Sequence, residues 1–129
     1  MQADDKGRIL FSPGARWHYS GEDYLYLQAV IEHLVGAPLE RVADDEVFRP
    51  LGMVSTSYLW RPGRDSSAQG YEFSRAFVAF SLHTSAGDYA RLVAHAVQSE
   101  TGPTLLTPQV AVDDRIAWRV GWGLAGDAF

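Results

Sequence analysis

Apolar residues return at steps of three and four in several stretches of the chain, and each return predicts a helix. Tyr24, Leu27, Ile31 and Leu34 place one apolar face on a segment from about residue 22 to 35. Ser20 stands ahead of it as a candidate N-cap, with Asp23 three residues on, close to capping-box spacing. Gly36 is a natural C-terminal stop. Leu39, Val42, Ala43 and Val47 predict a short second helix, with Pro38 suited to its first position. It stops at Arg49-Pro50, because the residue before a proline avoids the helical region. Tyr89, Leu92, Val93, Ala96 and Val97 predict a long third helix capped by Thr84 or Ser85 and ended by Thr101-Gly102-Pro103. Thr107-Pro108 then predicts a short fourth helix, threonine as cap and proline first.

Elsewhere the pattern changes. Val54 to Trp60 is rich in β-branched and aromatic residues and predicts extended chain. Ile116 to Leu124 predicts a single strand, with Gly121 and Gly123 where something packs close. Arg8 to Phe11 predicts an extended entry, Pro13-Gly14 a turn, Pro50 to Met53 a tight hydrophobic corner, and Arg61 to Gln69 a loop. Tyr71 to Phe80 is aromatic without clean alternation and fits neither type. The pattern is α+β and mostly helical, with no internal repeat, low-complexity tract or linker.

Composition narrows the function classes. The 129 residues suit one domain, and 47% hydrophobic with 21% charged residues is a globular balance. A net charge of −5 without a basic patch argues against nucleic acid. No apolar run approaches the ~18 residues of a membrane span, and the polar opening residues do not read as a signal peptide. The compartment stays open. The absence of cysteine excludes disulfides, thiolate metal sites and cysteine nucleophiles.

Tyr19 is the first candidate for chemistry. It sits one or two residues before the first helix, whose dipole favours a phenolate by roughly 0.3–1 kcal/mol. That alone does not make a phenol a base near neutrality. Glu32-His33 lacks the second histidine on the same helix face that a zinc-protease motif requires, so His33 reads as a helix-terminal histidine. His83 with Asp88 suggests a dyad, yet Thr84, Ser85 and Asp88 read better as helix-start chemistry. Asp44-Asp45-Glu46 and Asp113-Asp114 read as solvated faces, a bound cation being the alternative. No metal and no cofactor are expected.

Several motifs resemble one family: Phe-Ser-Pro-Gly at 11–14, Tyr-Ser-Gly at 19–21, Ile-Glu-His-Leu-Val-Gly at 31–36, Val-Phe-Arg-Pro-Leu-Gly-Met at 47–53, and Ser-Leu-His-Thr-Ser-Ala-Gly-Asp-Tyr-Ala-Arg at 81–91. Together, and in this order over nearly the whole chain, they resemble the class C β-lactamase-like serine hydrolases. That family includes D-alanyl-D-alanine peptidases and esterases. The resemblance implies a partial β-lactamase/transpeptidase-like fold over 1–129. About 11–112 would form its helical region, and about 116–129 a return strand of its antiparallel sheet. It implies an acyl-enzyme built on a Ser-x-x-Lys nucleophile. It also implies a Tyr-x-Asn tyrosine that shuttles protons, and a Lys-Thr-Gly or His-x-Gly strand lining the acyl pocket. Tyr19 falls on the family tyrosine. Gly21 falls where many members have asparagine, so a substrate-facing amide is missing, which favours an ester or peptide-like acyl substrate over a β-lactam.

Two parts of that machinery are absent. Lys6 is the chain's one lysine, with Ala3 three residues before it and Gly7 after it, so neither Ser-x-x-Lys nor Lys-Thr-Gly exists here. His18, His33, His83 and His95 are followed two residues later by Ser20, Val35, Ser85 and Val97, never by glycine. The expectation is therefore an internal fragment, inactive alone, of a family often exported or envelope-associated. The alternative is a non-catalytic peptide- or cell-wall-binding module on the same scaffold. With much of the sheet absent, Trp118, Val120, Trp122 and Phe129 are expected to lie exposed, and the open sheet edge is expected to self-associate.

Overall fold

The computed structural model describes residues 11, 12, 14–61, 72–118, 121 and 123–125. It is mostly helical, with one small antiparallel sheet, and the chain divides into two compact units. The expectations for Arg8 to Leu10, Pro13, most of the 61–69 loop, Tyr71, Val120, Trp122 and Phe129 lie outside the described residues.

The first unit runs from Gly21 to Ala94. It opens with α1, Gly21–Val35. Gly36 closes the helix with φ 70°, its N–H bonded to the Glu32 carbonyl at 2.9 Å, a conformation that a residue with a Cβ rarely adopts. The predicted apolar face is not the buried one. Gln28 faces inward at 7% exposure, flanked by half-buried Leu25, Ile31 and Glu32, while Tyr26 (72%) and Leu34 (77%) lie outward with Leu27. Periodicity located the helix but not its inner side, because a glutamine with bonds to make displaced the leucines from it.

α2, Leu39–Ala43, continues into a π-helical turn, Asp44–Phe48, so the predicted second helix widens its pitch halfway. The Arg49 N–H reaches back five residues to the Asp44 carbonyl at 3.0 Å. Phe48 and Met53 are buried with Leu39 and Ala76, and the Met53 N–H closes the corner onto the Phe48 carbonyl at 2.8 Å. Val54 to Trp60, expected extended, is mostly turns, and it pairs at one residue only. Ser57 and His83 exchange both backbone bonds, at 2.9 and 2.8 Å. Local side-chain bonds overrode the β propensity: Ser57 Oγ donates to the Leu59 carbonyl at 2.7 Å, and the Ser55 N–H is held by Asp88. α3, Ala86–Gln98, begins in this unit. Ser85 caps it, accepting from the Asp88 N–H at 3.1 Å.

The second unit comprises the described residues up to Ser20 and those from His95 onward. The fourth helix is not at Thr107-Pro108. α4 is Gly102–Leu106, with Pro103 in its first turn, and Thr107 ends it in an extended conformation (φ −79°, ψ 127°). Both proline rules operate, at the other proline of each pair: Pro103 starts a helix and Pro108 forbids Thr107 from continuing one. The strand expected over Ile116 to Leu124 is a hairpin instead. β1 (Val110–Ala111), β2 (Ile116–Trp118) and β3 (Gly123–Ala125) form an antiparallel sheet in that order, Trp118 opposite both Val110 and Gly123. The reversal includes Gly121 at φ 79°. Trp118, expected exposed, is half-buried, its ring 6.0 Å from that of Trp17. A Cβ on Gly123 would lie 3.1 Å from the Trp118 ring, which accounts for a glycine at that place.

Candidate active site

Trp17 to Ser20 has no regular secondary structure and leads into α1, and Tyr19 lies two residues before the helix starts. Its side chain is 67% exposed. The residues before it are held by local contacts. Arg16 places its guanidinium 4.5 Å from the centre of the Phe11 ring, and the His18 ring lies 6.0 Å from the same ring. His18 Nδ1 donates to the Tyr19 carbonyl at 2.7 Å, which fixes the backbone at the tyrosine and leaves the phenol outside. Ser20 is buried. Gly21, the other candidate, is the first residue of α1, and a Cβ there meets nothing within 4 Å. Neither backbone strain nor crowding accounts for a glycine at that position, so an asparagine would fit.

The remaining candidates have structural duties. Glu32 Oε1 accepts from the Leu39 N–H at 2.8 Å and from Gln28 Nε2 at 3.1 Å, tying α1 to the start of α2, while His33 is exposed. Asp44 and Asp45 take Arg49 as their cation, at 2.9 and 2.7 Å, with Arg41 3.6 Å from Asp45. The bond to Asp44 and the charge of Asp45 raise the Arg49 guanidinium further above its ordinary value. Asp113 Oδ1 accepts from the N–H groups of Arg115 and Ile116 at 2.7 and 2.8 Å, the side-chain turn that joins β1 to β2.

His83 and Asp88 do not form a dyad. Asp88 is 2% exposed; one oxygen accepts from the Ser55 N–H (2.6 Å) and Thr56 Oγ1 (3.0 Å), the other from Arg91 (2.7 Å). The His83 ring lies 5.3 Å from that of Trp60, and its Nδ1 has no hydrogen-bond partner among the described residues. Sequence reasoning assigned Asp88 to the helix start and missed its larger part, as the buried acceptor that joins the Met53-to-Ser57 corner to α3. The Ser55-Thr56-Ser57 run, polar within a segment expected to be extended, was the available signal.

The family model for beta-lactamase matches residues 4–128. The chain belongs to the beta-lactamase family. Within it, the chain is 31% identical to a putative D-alanyl-D-alanine carboxypeptidase of Escherichia coli K12, over 45% of this chain and 15% of the relative. It is 33% identical to one of Salmonella paratyphi B, over 41% and 12%. The matched region thus spans about one seventh or less of the length of these curated relatives. Membership of the beta-lactamase family agrees with the family resemblance of the sequence as a whole.

Proposed function

We propose that this chain is part of a serine hydrolase that opens an amide or ester through an acyl-enzyme, with Tyr19 as its proton shuttle. The observation that carries the reading is an exposed phenol immediately ahead of α1, on a backbone that His18 pins in place. In this reading a serine oxygen bonds to the substrate carbonyl carbon while its proton passes to the Tyr19 oxygen. The tyrosine delivers that proton to the departing amine or alcohol, and water then repeats both steps to release the acid. The serine and its lysine partner would be supplied by sequence beyond these 129 residues. A lysine charge near the phenol would supply the help that a helix dipole does not.

Gly21 occupies the amide position of the tyrosine motif with open space above it. That favours a substrate which does not rely on an asparagine, such as an ester or a peptide. The names of the relatives make a D-alanyl-D-alanine peptide the first substrate to try.

The test uses the polypeptide encoded by the uninterrupted reading frame around this chain, treated with a serine-reactive acyl probe. A labelled serine is expected, with labelling slowed about 10²–10⁴-fold in Tyr19→Phe at unchanged thermal stability. An unlabelled protein, or labelling indifferent to Tyr19→Phe, overturns the assignment in favour of a binding module on the same scaffold.

A further inference from the structure

The residues ahead of Tyr19 build one local clip. The Ala15 N–H closes a turn onto the Ser12 carbonyl at 3.1 Å, with Gly14 in the left-handed region at φ 77°. Beyond the turn the chain comes back to Phe11. The Arg16 guanidinium lies 4.5 Å from the centre of the Phe11 ring, and the His18 ring lies 6.0 Å from it, inclined by 33°. Phe11 is half-buried, while Arg16 and His18 are exposed. The clip is therefore held by a cation over a ring face and by ring contact rather than by a core.

Its last link is a hydrogen bond of defined chemistry. A carbonyl oxygen only accepts, so His18 Nδ1 carries the hydrogen in its 2.7 Å contact with the Tyr19 carbonyl. In the neutral ring that choice leaves Nε2 without a hydrogen. A protonated ring keeps its hydrogen on Nδ1, so both charge states make the bond. Tyr19 lies in neither helix nor strand, so no regular ladder sets its backbone. The direction of its carbonyl follows its own ψ. Restraining that carbonyl also restrains the direction of the Cα–Cβ bond, which carries the phenol, relative to the next peptide.

We propose that His18 is a positioning residue for Tyr19. Its Nδ1–H, with the ring resting on Phe11, sets the backbone at Tyr19 and so presents the phenol for proton transfer. His18 exchanges no proton with the substrate. The role rests on the reading of Tyr19 as the proton shuttle.

The test uses the polypeptide encoded by the uninterrupted reading frame around this chain, in three variants. In His18→Asn the amide nitrogen lies as many bonds from the backbone as Nδ1 and donates in its place. In His18→Gln it lies where Nε2 stood, out of line with the carbonyl. His18→Phe keeps a ring against Phe11 and donates nothing. Labelling by the serine-reactive acyl probe is expected to slow about three- to tenfold in His18→Gln and His18→Phe, the share of a rate that one exposed hydrogen bond controls, and to be rescued to within about twofold of the parent in His18→Asn. Thermal stability is expected to be unchanged in all three, because the side chain is exposed. Long-range ¹⁵N spectra of the parent are expected to show the neutral His18 ring protonated at Nδ1, the signal being identified by its loss in His18→Asn; this readout does not depend on activity.

A parent ring protonated at Nε2 overturns the bond. Parent-like labelling in His18→Gln, or slow labelling in His18→Asn with parent-like labelling in His18→Phe, overturns the positioning role. So does a pH profile of labelling in His18→Asn that lacks an ionisation present in the parent, since His18 would then be a base. If the parent is unlabelled, or its labelling is indifferent to Tyr19→Phe, the hydrolase reading fails and this role falls with it. A labelled, Tyr19-dependent parent in which His18→Gln changes nothing sinks the role of His18 alone.

Discussion

Removing the Asp88 carboxylate tests whether the Gly21–Ala94 unit is held by its buried polar contacts. In Asp88→Ala the Ser55 N–H loses its charged acceptor, at a cost of about 1.5–3 kcal/mol for a bond of that kind. Thr56 Oγ1 keeps Thr84 Oγ1 at 2.7 Å as a second partner, so its share is smaller, about 1 kcal/mol. Arg91 is half exposed and its pair with Asp88 adds about 0–1 kcal/mol after screening by water. The total is about 2.5–5 kcal/mol, a large part of the stability of any domain this size. Asp88→Asn keeps the shape and one acceptor oxygen and costs about half as much. Urea titration at 222 nm gives both values, and a cycle with Thr56→Val isolates the Thr56–Asp88 bond, expected to couple by about 1 kcal/mol. A loss below about 1 kcal/mol in Asp88→Ala, or additive single mutants, would refute the claim that this carboxylate joins the corner to α3.

Two further outcomes are expected. Gly102→Ala places a Cβ 2.8 Å from the carbonyl oxygens of both Ala96 and Val97, which are backbone atoms, so it costs about 1–3 kcal/mol; Gly21→Ala, in open space at a helix start, stays within about 0.5 kcal/mol or stabilises, and thermal melts of the pair rank them. Burial raises the Tyr58 phenol above its ordinary value of 10.0, so the unfolded chain ionises it first. Its contribution is complete below about pH 10 and is lost as pH climbs through the higher folded value. Tyr58→Phe should therefore flatten the loss of stability measured in urea as pH rises above about 10.

The positions of α1, α2 and α3, though not of α4, were legible from residue pattern because capping and proline rules act over a few residues. α1 ends at Val35 before Gly36, and Ser85 caps α3, as those rules require. What the pattern missed was decided by long-range bonds. Tyr24, Leu27 and Leu34 form a stripe by spacing alone, but Gln28 meets Ala76 and Val78 about fifty residues away, and no local rule anticipates that. The hairpin at Trp118 to Gly123 was read as one strand because apolar residues run through both halves; Gly121, at φ 79°, lies in the reversal. At the candidate site, the place of Tyr19 relative to the helix was readable from the N-cap signal. The pin from His18 to its carbonyl was not, since a histidine gives no local hint of which backbone oxygen it will choose.

The interior of the Gly21–Ala94 unit carries Gln28, Thr56, Ser57, Ser81 and Asp88 beside Leu39, Phe48, Met53 and Ala76. Hydrocarbon contact is forgiving of direction; a carbonyl awaiting one particular amide is not. Cohesion of this sort is brittle in composition yet unambiguous in geometry. A valine in place of Thr56 matches its volume yet removes the hydroxyl that both Asp88 and Thr84 meet. Such a unit gives up some tolerance to substitution in return for having few competing ways to pack.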